Sequence, residues 1–300
     1  MTKGLALERN GIIISALIIQ LRGGLGNQMF QYAYGRAQAL RHNMALRLDL
    51  SYLQQTPTKP NRTARDYRLN VFDIDIQFAD TKETCLFRNK LGKQLNKINI
   101  FLLHRERKPL WKTLLVGYWQ SPTHFSEIES ILRDDFRFKP LESQAAVTWS
   151  RDIVDQPNSV MLHVRHGDYE GHAIHEVCSL KYYQAAMLHV QERVVDPHFY
   201  IFSDDISWCR TQFQEQEKIR HMSFIENCRS EAEEMQLMTL CKHHIISNST
   251  FSWWGAWLGK KPEQVVLTPH RWFRDETLNE QFMIREPILP QEWTSIQVKS

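Results

Sequence analysis

Two stretches of this chain carry side chains whose types and positions suit the binding of an anion. The first, SVMLHVRHGDY (Ser159–Tyr169), is an apolar run that releases Arg165 and Asp168 at its end, with His163 two residues before the arginine. A guanidinium at a strand end can fork onto a phosphate, and a buried one is costly without such a partner. Arg165 is therefore the candidate for catalytic charge stabilisation. Asp168 either orients it or binds a sugar hydroxyl, and a plain Arg165–Asp168 salt bridge fits the spacing equally well. His163 shares a strand face with Arg165, because side chains alternate with period two. It suits a base or phosphate contact, or a satisfied core histidine.

The second stretch, NSTFSWWGAWL (Asn248–Leu258), places Asn248, Ser249, Thr250 and Ser252 at a strand-to-helix junction, with Phe251 among them. Backbone N–H groups at a helix start favour phosphate. The alternative is that Ser249 or Thr250 serves only as an N-cap. Trp253 and Trp257 are four apart, so they share a helical face and suit a core. Asn27 and Gln28 sit in the turn GGLGNQ, where they could bond sugar hydroxyls or a diphosphate, or simply cap a helix. That turn has neither the G-x-G-x-x-G nor the Lys-Ser/Thr of the common phosphate loops. Asp204, in SDD after another apolar run, is placed to accept from a ribose or base, or to cap the next helix.

A metal is not expected. Asp73-Ile74-Asp75 has the spacing of a metal–diphosphate motif but recurs by chance, and His172 and His175 have no carboxylate–cysteine set beside them. The five cysteines are widely spaced, form no CxxC unit and indicate no disulfide framework.

The elements that must position these groups alternate. An apolar run, Leu17–Leu21, enters a Gly-rich turn and then a helical pattern to Leu40, the opening of a βαβ unit. A strand is expected at Ala45–Leu50, mostly helix over 82–112, a strand at Leu114–Trp119 and a helix at Glu127–Phe136. The pattern breaks near Asp152–Asn158, around Pro157. Beyond it strands are expected at Val160–Arg165, His198–Phe202, Ile245–Ser247 and Gln264–Thr268, and helices at Leu180–Gln191, after Asp205, at Glu231–His243 and from Thr250. Strands separated by helices imply parallel sheets. The expected organisation is two Rossmann-like lobes, 16–155 and 156–300, with a cleft between them.

Net charge is +3, too small to imply nucleic acid, and no recognition module is present. Residues 1–150 nonetheless hold 22 Lys/Arg against 13 Asp/Glu, and 82–112 alone hold nine basic and two acidic residues. That region reads as a solvated helical face or as a candidate contact with an anionic membrane surface. The apolar run GIIISALIIQL has 11 residues, short of the roughly 20 needed to span a bilayer, and lacks a cleavage site. A cytoplasmic location is expected, with peripheral contact at an inner membrane as an option.

Together the segments LRGGLGNQMFQYAYGRA (Leu21–Ala37), HVRHGDY (His163–Tyr169), YYQAA (Tyr182–Ala186), YIFSDDISW (Tyr200–Trp208) and LMTLCKHHIISNSTFSWWGAWL (Leu237–Leu258) resemble the galactoside α-1,2-fucosyltransferase family. The resemblance implies a GT-B-like α/β fold and metal-independent, inverting transfer from GDP-fucose to a galactose-terminated oligosaccharide, with no cofactor. It implies that Arg165 contacts the β-phosphate, that His163 lies near the nucleotide, that Ser249 and Thr250 help hold the diphosphate and that Asn27 faces the cleft. The donor-side set expected is His163, Arg165, Asn27, Gln28, Asp204, Asn248, Ser249, Thr250, Phe251 and Ser252, with Arg165 and Asp168 catalytic. One departure stands out: His166 occupies the place of the family's usual second arginine.

Overall fold

The computed structural model describes residues 8–9, 12–13, 15–55, 65–166, 178–213, 219 and 221–298. Asp168, His172 and His175 lie outside these residues. The chain divides into two compact units, Met1–Arg137 and Phe138–Ser300.

In the first unit a short antiparallel pair, β1 (Glu8–Arg9) and β2 (Ile12–Ile13), precedes β3 (Ala16–Gln20). Then come α1 (Leu25–His42), β4 (Ala45–Asp49), β5 (Gln77–Phe78), α2 (Thr81–Cys85), α3 (Lys90–His104), β6 (Thr113–Leu115) and α4 (Glu129–Asp135). The strands β5-β4-β3-β6 form one parallel sheet. β3 is apolar because the sheet and α1 cover it: Ala16 through Ile19 have no exposed surface. Gly35 lets α1 come down on that sheet, since a Cβ there would lie 2.5 Å from Ile19 Cγ1 and 2.9 Å from Leu46 Cδ1. The helix stops at Asn43, which takes the left-handed conformation (φ 49°) that asparagine tolerates.

The second unit runs α5 (Gln144–Asp155), β7 (Ser159–Val164), α6 (Leu180–Gln191), β8 (His198–Ser203), α7 (Ile206–Phe213), β9 (Met222–Phe224) and α8 (Glu231–Leu240). It continues through β10 (His243–Ile245), α9 (Thr250–Leu258), β11 (Val266–Pro269), α10 (Glu276–Arg285) and β12 (Thr294–Ile296). Its six strands, in the order β12-β11-β10-β7-β8-β9, are all parallel. Val160, Leu162, Phe199, Ile201, Tyr183 and Met187 lie at the heart of the core between the sheet and its helices. Trp253, Trp254 and Trp257 are buried, and Trp253 stacks on Trp257 at 6.2 Å as their spacing implied.

The α/β class and the parallel sheets are as expected, and such paired units are the building blocks of a GT-B-like protein. The division falls between Arg137 and Phe138, earlier than the pattern break near Pro157 suggested. The reason is that α5 is fastened to the second unit. Ser143 N and Oγ donate to the Glu233 carboxylate, Trp149 Nε1 donates to Glu226 O, and Tyr200 OH donates to the Asp152 carboxylate. Pro157 marks only the turn from α5 into β7. His243 and His244, expected at a helix end, form β10 instead and are buried.

Candidate functional site

In the second unit the chain lays down β7, steps to β8 and β9 on one side, and returns to place β10 and β11 on the other. The crevice between the carboxyl ends of β7 and β10 is thus a topological switch point, where open α/β sheets take ligands. The residues singled out above for anion chemistry emerge on both sides of it. Arg165 and His166 leave β7, while Ser247, Asn248 and Ser249 leave β10 and lead into α9.

Each exit is pinned. Tyr183 of α6 accepts a hydrogen bond from Arg165 N at 3.3 Å, and the neighbouring Tyr182 OH donates to Ile246 O at 2.6 Å. The YYQAA segment therefore clamps both strand ends from one helix. Between the strands, His163 Nδ1 lies 2.9 Å from Ser247 Oγ. Burial, and then the nearby Arg165 charge, push the His163 pKa down to about 3, against a weaker upward pull from Asp204. The imidazole is neutral at physiological pH and offers hydrogen bonding, not charge.

The polar groups of β8's end organise the arginine. Asp204 Oδ2 stands 3.4 Å from Arg165 Nε, and its Oδ1 accepts from His166 N at 3.0 Å. Asp205 caps α7 by accepting from Trp208 N at 3.0 Å and meets His166 Nδ1 at 3.1 Å through its other oxygen. The His166 ring stacks on Trp208, 4.3 Å apart at 17°. Asp204 thus orients Arg165, the part the spacing had offered to Asp168.

On the β10 side, Ser249 caps α9, its Oγ accepting from Phe251 N at 3.3 Å. Asn248 is buried, with Nδ2 donating to Trp272 O and Oδ1 accepting from Cys178 Sγ. Ser252 is fully buried and its hydroxyl donates to Ser249 O. These bonds hold the junction's shape. Thr250 and Phe251 stay half-buried at the helix start, and the Phe251 ring lies 5.9 Å from that of His163.

Glu234, in the first turn of α8, was not singled out from the sequence, where it reads only as an acid suited to a helix start. The fold brings it within electrostatic reach of Arg165 and Asp204. Burial, then Glu231 and Asp204, raise its pKa to about 7, with Arg165 pulling the other way.

Asn27 and Gln28 belong to the first unit and its own switch point, between β3 and β6. Gly23 turns the chain with φ 76°, and a Cβ there would meet Asn27 Nδ2 at 2.5 Å. Gln120 Nε2 donates to Asn27 Oδ1 at 2.7 Å. Gln28 is fully buried, donating to Gly23 O and Asp66 O and accepting from Arg68 N, so its amide is committed to the protein. Gln31, not identified from the sequence, ties the two strand exits together, accepting from Arg22 N and donating to Gly117 O. Asp73 and Asp75 are exposed, and among the described residues no group of three or more His, Cys, Asp or Glu is placed to hold a metal ion.

A parallel sheet whose switch point presents a positioned arginine on one side and a capped helix start on the other is the arrangement by which α/β proteins hold phosphorylated ligands. The family follows from comparison with known proteins: the chain belongs to glycosyl transferase family 11, whose model matches residues 10–297. It is 34% identical to an α-1,2-colitosyltransferase of Escherichia coli over 95% of this chain and 100% of that one. It is 31% identical to the O-antigen biosynthesis glycosyltransferase WbnK of Escherichia coli over 84% of this chain and 93% of that one. The galactoside 2-alpha-L-fucosyltransferase SEC1 of Bos taurus is 24% identical over 84% of this chain and 66% of its own length. Among solved structures, fucosyltransferase NodZ from Bradyrhizobium overlays with a TM-score of 0.49 at 15% identity, over 81% of this chain and 92% of that one.

Proposed function

We propose that this glycosyltransferase moves L-fucose from GDP-β-L-fucose to the 2-hydroxyl of a terminal β-galactoside, inverting the anomeric centre to give an α-1,2 linkage. The observation that carries the reading is the pairing of Arg165 with the start of α9 across the β7–β10 crevice, in a family whose named relatives include α-1,2-transferases. The acceptor oxygen attacks the sugar's anomeric carbon from the face opposite the leaving group. The bond to the β-phosphate oxygen breaks with its electron pair staying on the diphosphate, and the acceptor proton passes to a weak base.

Negative charge therefore grows on the departing diphosphate. The Arg165 fork and the α9 backbone N–H groups stabilise it without a metal, which is where such sites gain most of their rate. Neutral His163 and half-buried Thr250 and Phe251 complete the donor side, with Asp204 holding the arginine and Asn248, Ser249 and Ser252 shaping the helix start. Asp168 and an acid of the first unit are the candidate weak bases, and Asn27 is the candidate polar contact of the first unit. A cytoplasmic site of action goes with this reading, and no helix among the described residues is long and apolar enough to cross a membrane.

A second reading concerns the donor sugar. Colitose is fucose without its 3-hydroxyl, and the similarity to an α-1,2-colitosyltransferase supports GDP-colitose as the alternative donor. The test is mass and linkage analysis of the products from lactose with GDP-fucose, GDP-colitose and a panel of UDP-sugars. A 2-linked fucosyl product that forms equally in EDTA supports the first reading, and preference for GDP-colitose selects the second. Transfer only from UDP-sugars, or linkage to another hydroxyl, rejects both.

A further inference from the structure

The basic stretch 82–112 takes no part in either switch point, and the fold gives it an unusual surface. α3 grips the first unit with asparagines. Asn96 Nδ2 donates to Leu114 O while its Oδ1 accepts from Leu114 N, and buried Asn99 bonds the backbone of Leu110, Trp111 and Lys112. With that face fixed inward, the opposite face carries apolar side chains into solvent: Leu91 is 64% exposed, Ile98 48% and Phe101 57%. Leu86 and Leu110, just beyond the helix ends, are 54% and 60% exposed. A solvated helical face would be polar there.

Cations frame this apolar line. Lys90, Lys93 and Lys97 are exposed on α3, and Arg105 lies over the Phe101 ring. Of the stretch's two acids, Glu83 is buried between Arg47 at 2.7 Å and Lys112 at 2.5 Å, so its charge is neutralised inside the unit. Only Glu106 opposes the surface lysines and arginines.

We propose that this face of the first unit docks in the plane of an anionic lipid bilayer. Leu91, Ile98 and Phe101 enter below the headgroups, and the lysine stems lie along the apolar boundary with their ammonium groups on lipid phosphates. A helix of 15 residues is about 22 Å long and lies flat without spanning. A soluble polyanion would satisfy the charge but leave the apolar line in water, whereas a lipid surface satisfies both. Docking concentrates the enzyme in two dimensions with any acceptor glycan that is itself lipid-borne. The inference is independent of which sugar is transferred.

The test is co-sedimentation of the full chain with vesicles of phosphatidylethanolamine and phosphatidylglycerol, against vesicles of phosphatidylcholine alone. Strong binding is expected only to the anionic vesicles, and salt should weaken it. The triple variant Lys90→Gln/Lys93→Gln/Lys97→Gln should lose roughly fivefold per lysine, on the order of a hundredfold in all. The triple variant Leu91→Ser/Ile98→Ser/Phe101→Ser should lose on the order of tenfold or more. Both should keep wild-type turnover on soluble acceptor and a wild-type melting curve. Binding that ignores vesicle charge, or that survives both triple variants, overturns the proposal. So does a dextran sulfate complex that needs the lysines while the apolar variant still sediments normally. A wild-type dimer that the apolar variant turns into a monomer would assign the face to a second copy instead.

Discussion

Glu234 gives the sharpest test of the site's electrostatics, because its carboxyl is held against the charge the site is built to attract. Its pKa is raised from 4.5 to about 7 by burial, Glu231 and Asp204. A shift of that size corresponds to about 3 kcal/mol, and solvent access to a half-buried carboxyl trims it to roughly 1–2 kcal/mol. The sign follows from proton linkage. Between the unfolded and folded pKa values the folded state binds more protons, so wild-type stability falls as pH rises through that window. Glu234→Gln has nothing to ionise. It should match wild type in urea unfolding below about pH 4.5 and exceed it by roughly 1–2 kcal/mol near about pH 8. Binding of GDP should push Glu234 higher still, because the diphosphate adds negative charge beside it and competes for Arg165. Calorimetry in buffers of different ionisation enthalpy should then show proton uptake on GDP binding just above neutrality, absent in Glu234→Gln. A stability gap that stays constant with pH, or proton release on binding, would refute this account of the charges around Arg165.

Arg165→Ala should fold normally and lose about 100-fold or more in turnover, the usual cost of one transition-state charge donor, whereas Arg165→Lys keeps the charge, loses the fork and falls between; steady-state kinetics with a melting curve checks both. His163 and His244 are buried neutral, their pKa values pushed down to about 3 chiefly by burial. The unfolded chain binds protons they refuse, so stability is fully present above the ordinary histidine pKa and falls by about 2 kcal/mol for each at about pH 5, a slope that acid unfolding should show and His244→Gln should lessen. Gly35→Ala should destabilise by about 1–3 kcal/mol, even though alanine is the better helix former by roughly 1 kcal/mol, because the added methyl meets Ile19 and Leu46; thermal unfolding decides which effect wins.

The parts of the fold and site legible in the sequence were those where an apolar run ends abruptly in polar residues. β3, β7 and β8 each announce themselves this way, and with them the positions of Asn27, Arg165 and Asp204. β10 was expected but placed too late, from Ile245, because KHH reads equally as a helix end rich in cations and as the start of a strand. What decides is burial in mid-sheet: His244 Nε2 lies 2.9 Å from Met238 O, and His243 Nδ1 accepts from Val265 N. β9 and β12 are three residues each, too short for an alternating pattern to stand out. The division between units was misleading in sequence because a proline turn looks the same inside a unit as between two. Only long-range bonds such as Ser143 to Glu233 reveal which side α5 belongs to. The same limit hid Glu234 and Gln31, whose roles come from partners distant in the chain.

His166 stands where the resemblance implies a second arginine, and its surroundings are well defined. At β7's exit each of the two residues has its own carboxylate from β8: Asp204 for Arg165, Asp205 for His166. An imidazole adds a positive charge only when protonated, and here it is stacked on Trp208 and directed at Asp205, which also caps α7. Among the described residues of this cluster Arg165 is the one permanent cation, set against Asp204, Asp205 and Glu234. On the proposed donor reading, a diphosphate at this exit would draw more of its stabilisation from the oriented N–H groups of α9, which are fixed dipoles, and less from mobile charge. Fixed dipoles act at short range and are little affected by salt, whereas attraction between full charges is screened over a Debye length. On that reading, the grip on the diphosphate would depend more on the geometry of the α9 junction than on full charge. Asn248, Ser249 and Ser252 are buried and bonded into this junction, which holds the start of α9 in shape.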